Sequence, residues 1–156
     1  MTVFDFKKVG GQHALRLATI DDAAAIWDWR NAIPSEHFIA DRHPSIQEHL
    51  SWFEEALLDP KRRLYVSGTP PIAHLRLDLS DANTAAVSIV LDPSVRGQGV
   101  GQRLLASMTD LGRDAGINVL TAQVYFENAA SVALFSKAGY TQSGPNDGLC
   151  NFKLEL

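Results

Sequence analysis

The stretch of this sequence best suited to chemistry is Arg96-Gly97-Gln98-Gly99-Val100-Gly101, and what it offers is main-chain groups. Glycines let a chain turn sharply and let a ligand come close to the backbone. Val100, Leu104, Met108, Leu111 and Ala115 follow at spacings of four, four, three and four, which is one face of a helix. The loop therefore ends where unpaired helical N–H groups collect, and with the helix dipole these suit a phosphate or pyrophosphate. Ahead of the loop, Ala85–Leu91 reads as a strand, with β-branched Val87, Ile89 and Val90. Asp92-Pro93 ends it, because proline cannot donate to a continuing ladder. Two familiar phosphate loops fail here. Gly101 is followed by Gln102 and Arg103, not by the Lys-Ser/Thr of a P-loop. A dinucleotide fingerprint counted from Gly97 would need glycine where Gln102 stands.

A second motif lies downstream. In Asn128-Ala-Ala-Ser131-Val-Ala-Leu-Phe135-Ser-Lys137-Ala-Gly139-Tyr140, Asn128 is a good helix N-cap and Gly139 a C-terminal stop. Val132 and Phe135 share one helix face, and a strand at Val119–Val124 separates the two motifs. The first motif, Arg/Gln-x-x-Gly-x-Gly after a strand and Asp-Pro, strongly resembles the acetyl-CoA loop of the GNAT (general N-acetyltransferase) superfamily. The second resembles that superfamily's later motif, and the pair in this order is specific.

The resemblance implies acetyl-CoA as cosubstrate and direct attack by an amine in a ternary complex. It implies that the backbone of Ile89, Val90 and Leu91 pairs with the pantetheine and polarises the thioester carbonyl. Gly97, Gln98, Gly99, Val100 and Gly101 would hold the pyrophosphate, with Arg96 at its edge. Asn128 and Ser131 would hold the pantetheine arm and the adenosine end, with Phe135 also beside the cofactor. Many members carry tyrosine where Phe135 stands, and its hydroxyl protonates the leaving thiolate. Here Ser131, Tyr125 or a bound water must substitute. Ribosomal-protein N-terminal acetyltransferases place a glutamate base where this chain has Gln123, which is no base at neutral pH.

Acetyl transfer to an amine requires that the amine lose a proton, that the oxyanion be stabilised and that the thiolate be protonated. The base candidates are Glu36, His37, His49, His74 and Glu127. His74 lies in the strand expected beside the cofactor strand, and a satisfied sheet histidine is an equal reading of it. His49 sits one position off an apolar stripe and is expected to pack or cap beside Trp52; Glu127 would as readily charge the start of a helix. Glu36 belongs to a polar loop, Ala32–Pro44, that reads as solvated surface or as the edge of a substrate site. No nucleophile elbow is present, and Cys150, the sole cysteine, falls on the apolar face of an alternating strand. No histidine pair has ligand spacing with a third donor, so no metal is expected.

The remaining elements position these groups. A strand is expected over His13–Thr19, and Thr19-Ile-Asp-Asp22 resembles a capping box opening a helix through Asn31. Ser45-Ile-Gln-Glu48 opens a second, with Ile46, Leu50, Phe53 and Leu57 on one face. Leu64–Ser67 and Ile72–Asp78 read as a hairpin leading to the cofactor strand, and Leu149–Leu156 as the last strand. The expected fold class is α/β (α+β mixed), a single N-acetyltransferase domain over 1–156. Its mixed sheet of six to seven strands is flanked by about four helices and splayed at the cofactor slot. At 156 residues the core needs no disulfide. A formal charge of −4 and the lack of a basic stripe argue against nucleic acid as a partner. No run is long and apolar enough for a membrane span, no signal peptide is evident, and a cytoplasmic location is expected. The resemblance also allows a homodimer.

Which amine is acetylated has a weaker clue. Trp29-Arg30-Asn31 and Ser45-Ile-x-Glu48-His49-x-x-Trp52-Phe53 resemble bacterial sugar-nucleotide amino-sugar N-acetyltransferases of the pseudaminic-acid type, though Glu36-His37 departs from their pattern. A lysine amine, with a reference pKa of about 10.4, needs strong help to lose its proton at neutral pH. An amine flanked by electron-withdrawing oxygens needs less, which suits a chain without an evident carboxylate base. The reading is therefore transfer of acetyl from acetyl-CoA to a small-molecule primary amine, possible acceptors including a nucleotide-linked amino sugar. The alternatives are a peptide or protein N-terminal acetyltransferase and a non-catalytic acyl-CoA-binding sensor domain.

Overall fold

The computed structural model describes residues 15–34, 37 and 43–156. Its frame is a seven-stranded sheet in the order β1-β2-β3-β4-β5-β7-β6. The strands are β1 (Leu15–Leu17), β2 (Arg62–Ser67), β3 (Ala73–Leu79), β4 (Thr84–Leu91), β5 (Val119–Tyr125), β6 (Thr141–Asn146) and β7 (Leu149–Glu155). The helices are α1 (Ala23–Asn31), α2 (Ile46–Leu58), α3 (Val100–Asp114) and α4 (Ala129–Lys137). All neighbouring strands pair antiparallel except β4 and β5, which pair in parallel.

Alternation along the strands sorts side chains between two cores. Tyr65, Leu75, Leu77, Ala85 and Val87 join Leu104, Leu105 and Met108 of α3 and Phe135 of α4 on one face. Leu64 and Val66 meet Ile26 and Trp29 of α1 and Phe53 of α2 on the other. The N-cap of α2 forms as its sequence indicates: Ser45 accepts from the Glu48 N–H at 3.1 Å.

Two local expectations change. The segment Ile20–Asp22 is a 3-10 turn, and the α-helix starts at Ala23. Its Asp22 accepts from the Thr19 N–H at 2.8 Å and forms a paired bridge to Arg16 at 2.8 and 2.9 Å, so it ties β1 to the turn. The strand β6 had no counterpart in the sequence reading. Its residues, Thr-Gln-Ser-Gly-Pro-Asn, are all exposed and carry no apolar alternation; pairing with β7 alone makes them a strand.

Candidate active site

The parallel pair β4–β5 is registered only from Thr84 opposite Val119 to Ala86 opposite Thr121. β4 runs on to Leu91 and β5 to Tyr125 without pairing to each other, so the sheet opens between them. Two cavities meet at this split. One, of about 450 Å³, is lined by Arg96, Gly97, Gly99, Val100, Gly101, Gln102 and Lys137 among others. The other, of about 730 Å³, is lined by Arg30, His74, Arg76, Asp78, Ser88, Gln123, Tyr125, Phe135 and Asn151 among others. Ile33, His37, Ile89, Val90, Asn128 and Ser131 border both.

The smaller cavity is walled by main chain. Asp92 accepts from the Ser94 N–H at 2.9 Å and starts a short 3-10 turn over Pro93–Val95. Gly97 and Gly99 then take φ of +75° and +77°, conformations that side chains disfavour. Three side-chain donors brace the loop. Arg96 reaches the Leu91 carbonyl at 3.3 Å, Gln98 that of Ser94 at 3.0 Å, and Arg103 that of Gln98 at 3.1 Å. Gly101 lies where α3 passes α4. A Cβ there would sit 3.0 Å from the Leu134 side chain, while Gln102 donates to the Leu134 carbonyl at 3.1 Å. The first N–H groups of α3 therefore open onto a glycine-lined cavity, an arrangement that fits a pyrophosphate. Across the split, Asn128 caps α4 by accepting from the Ser131 N–H at 3.3 Å.

The larger cavity is walled by side chains from β3, β4, β5 and β7. His74 lies opposite Val90, Arg76 opposite Ser88 and Asp78 opposite Ala86, so all six share one face of the sheet. His74 is buried, and its Nδ1 lies 2.9 Å from the Tyr65 carbonyl oxygen, which can only accept. That assigns the proton to Nδ1 and leaves Nε2 as the ring's acceptor. Burial, followed by repulsion from Arg76 and Arg30, pushes its pKa down to about 3. Arg76 donates from Nε to Asp78 at 2.8 Å and from Nη2 to the Ser88 hydroxyl at 3.4 Å, and its guanidinium lies 5.2 Å from the Trp52 ring. Burial and the Arg76 charge lower Arg30 to about 10. Gln123 donates to Asn151 at 3.2 Å on the exposed wall.

Of the proton-transfer candidates, the structure brings His37, His74, Tyr125 and Ser131 to the split. His49 is packed away, 5.7 Å from the Phe53 ring and 2.9 Å from the Ala23 carbonyl oxygen. Glu127 is exposed and lines neither cavity, and Glu36 lies outside the described residues. Phe135 is buried, with Tyr140 at 5.1 Å and Phe152 at 5.6 Å, so it serves the core as well as the cavity. Cys150 is buried beside Gln142. Among the described residues no cluster of three or more His, Cys, Asp or Glu is placed to hold a metal ion, and no helix is long and apolar enough to cross a membrane. The sequence reading missed Arg76 and Asp78. Their signal was present: His74, Arg76 and Asp78 alternate with Leu75 and Leu77 on the strand beside the cofactor strand.

The model of the Acetyltransferase (GNAT) family matches residues 23–140. The chain belongs to the GNAT family. It is an acetyl-CoA-dependent N-acetyltransferase, and acetyl-CoA is its cosubstrate. The L-methionine sulfoximine/L-methionine sulfone acetyltransferase of Salmonella typhimurium is 27% identical over 135 residues, covering 81% of this chain and 79% of that protein. YwnH of Bacillus subtilis, which carries a phosphinothricin acetyltransferase name, is 38% identical over 66 residues; that match spans 42% of this chain and 40% of YwnH. Among solved structures, YncA of Salmonella typhimurium with its cofactor acetyl-CoA superposes with a TM-score of 0.75 at 24% identity, over 94% of this chain and 95% of that one. The likeness to YncA is one of fold, and it includes the GNAT sheet seen here.

Proposed function

We propose that this acetyltransferase joins its two substrates at the β4–β5 split, with acetyl-CoA on the α3–α4 side and a small primary amine in the cavity beside β3. The observation that carries this reading is that the two cavities share Ile89, Val90, Asn128 and Ser131, so a group held in either one reaches the same seam. Acetyl-CoA supplies the activated acetyl group. The glycine loop and the start of α3 bind its pyrophosphate. The backbone of Ile89 to Leu91 lies unpaired on the β5 side and is free to hold the pantetheine and donate to the thioester carbonyl. Ser131 or Tyr125 returns the proton to the thiolate.

Proton removal from the amine falls to His37 or His74, directly or through water. Burial keeps His74 neutral at pH 7, so its Nε2 can accept a proton. The Salmonella typhimurium relative is named for L-methionine sulfoximine and L-methionine sulfone, which supports a small acceptor. The amino-sugar acceptors implied by Trp29–Asn31 and Ser45–Phe53 fall in the same small-amine class.

The test is acetyl-CoA-dependent thiol release across amino acids, nucleotide-linked amino sugars, polyamines and short peptides. Turnover confined to small amines is the expected result. Turnover with peptides alone would move the acceptor class to protein N-termini, and the search for a base to the strand around Gln123.

A further inference from the structure

The described walls of the acceptor cavity carry more cations than carboxylates, although the chain is acidic. Among the described residues its walls carry Arg30, Arg76 and Lys153 against one carboxylate, Asp78, in a chain of formal charge −4. Arg76 is the best-fixed of the three. Its side chain is 19% exposed and is held on three sides, by Asp78 on Nε, by Ser88 on Nη2 and by the Trp52 ring against its plane. Among the described residues no acceptor meets Nη1. Asp78 is itself shared, because Arg62 lies 3.5 Å from its other oxygen. The carboxylate therefore neutralises Arg76 only in part. Arg30 enters the same cavity from α1, and the two guanidiniums repel each other. A guanidinium fixed through Nε, with Nη1 still to donate, is suited to an oxyanion.

Resting on the acceptor placement above, we propose that Arg76, with Arg30, forms an oxyanion subsite that selects amines carrying an acidic group. The acid sits over Arg76 at the Ser88 level of the sheet, and the amine lies toward His74 and Val90, one two-residue step along the strands. At about 3.3 Å per residue that step is roughly 7 Å, within the reach of an arginine side chain toward the acid of a small acceptor. A carboxylate on the acceptor itself and a phosphate attached to it present the same chemistry to this site. A cationic polyamine does not.

The test uses the full chain and amines in matched pairs. Amino acids are set beside their carboxamides, and phosphate monoesters of amino alcohols beside the free amino alcohols. Thiol release is measured from acetyl-CoA, and equilibrium binding is measured with CoA present. The acidic member of at least one pair class is expected to be favoured by about ten-fold or more in kcat/KM and in Kd, and which class responds identifies the acid. Arg76→Gln collapses that ratio, Arg76→Lys restores part of it, and Arg113→Gln, in an exposed pair with Asp110, leaves it unchanged. Neutral members handled as well as acidic ones would overturn the subsite while leaving the acetyltransferase reading intact. If no pair releases thiol, the placement of the acceptor fails, and the binding measurement still decides. Acid-selective binding lost in Arg76→Gln supports the subsite, and unselective or absent binding overturns it.

Discussion

On the α3–α4 side of the split the cavity wall is a loop of glycines and helical N–H groups; on the α1–α2 side it is charged and polar side chains, with His74 and Arg76 of β3, Ser88 of β4, Gln123 of β5 and Arg30 of α1 among them. The first kind of wall depends on backbone shape and on the core beneath it. The second depends on which side chains the strand alternation delivers. A site built this way can keep one cosubstrate while changing the other, because substitutions on β3 leave the loop's conformation alone.

The comparison breaks most visibly in the core under the cofactor loop. Leu104 is fully buried between α3 and the sheet, so Leu104→Ala should cost about 2–5 kcal/mol of stability by denaturant unfolding. A loss under about 1 kcal/mol would mean that α3 is not held as described. Gly99 at φ +77° is a sharper probe. Gly99→Val forces a left-handed β-branched residue, at about 1–2 kcal/mol, and should weaken acetyl-CoA about ten-fold with acceptor KM little changed. A rise in acceptor KM instead would erase the distinction between the two walls.

The acceptor side should respond to pH. His74 is neutral in the folded chain down to about 3, and an unfolded histidine titrates near its ordinary 6.5. Between those values the unfolded chain binds the extra proton, so stability rises with pH across that window and falls as pH drops below about 6.5. Burial, with repulsion from Arg30, lowers His49 as well, which adds to the same trend. The expected slope in thermal or denaturant unfolding is up to about 1.4 kcal/mol per pH unit for each histidine. A flat profile between pH 7 and 5 would contradict their burial as neutral rings. The smallest effect belongs to the helix that backs this wall: Ser45→Ala should cost about 1 kcal/mol through loss of the α2 cap.

The same contrast explains what the sequence could reveal. The loop Arg96–Gly101 and the helix after Asn128 were legible because their function rests on local order: glycine spacing, a cap and one apolar stripe. The split was legible only through the resemblance those motifs carry. Arg30, Arg76 and Asn151 come from α1, β3 and β7, and only the finished sheet places them on one cavity. His74 and His49 look alike as residue types. Both rings lie against Phe53, at 6.0 and 5.7 Å, and sheet register puts only the first opposite Val90 on the cavity wall. The exposed strand β6 escaped because its order is imposed by β7.

The most direct test of the central claim, that the β4–β5 split is the transfer site, is a crystal structure of the chain with CoA. The account predicts pantetheine running along Ile89 to Leu91, pyrophosphate on Gly97 to Gly101, and the thiol at the seam between Val90 and Ser131. CoA bound elsewhere, or a thiol remote from the cavity that Arg76 and His74 line, would contradict it.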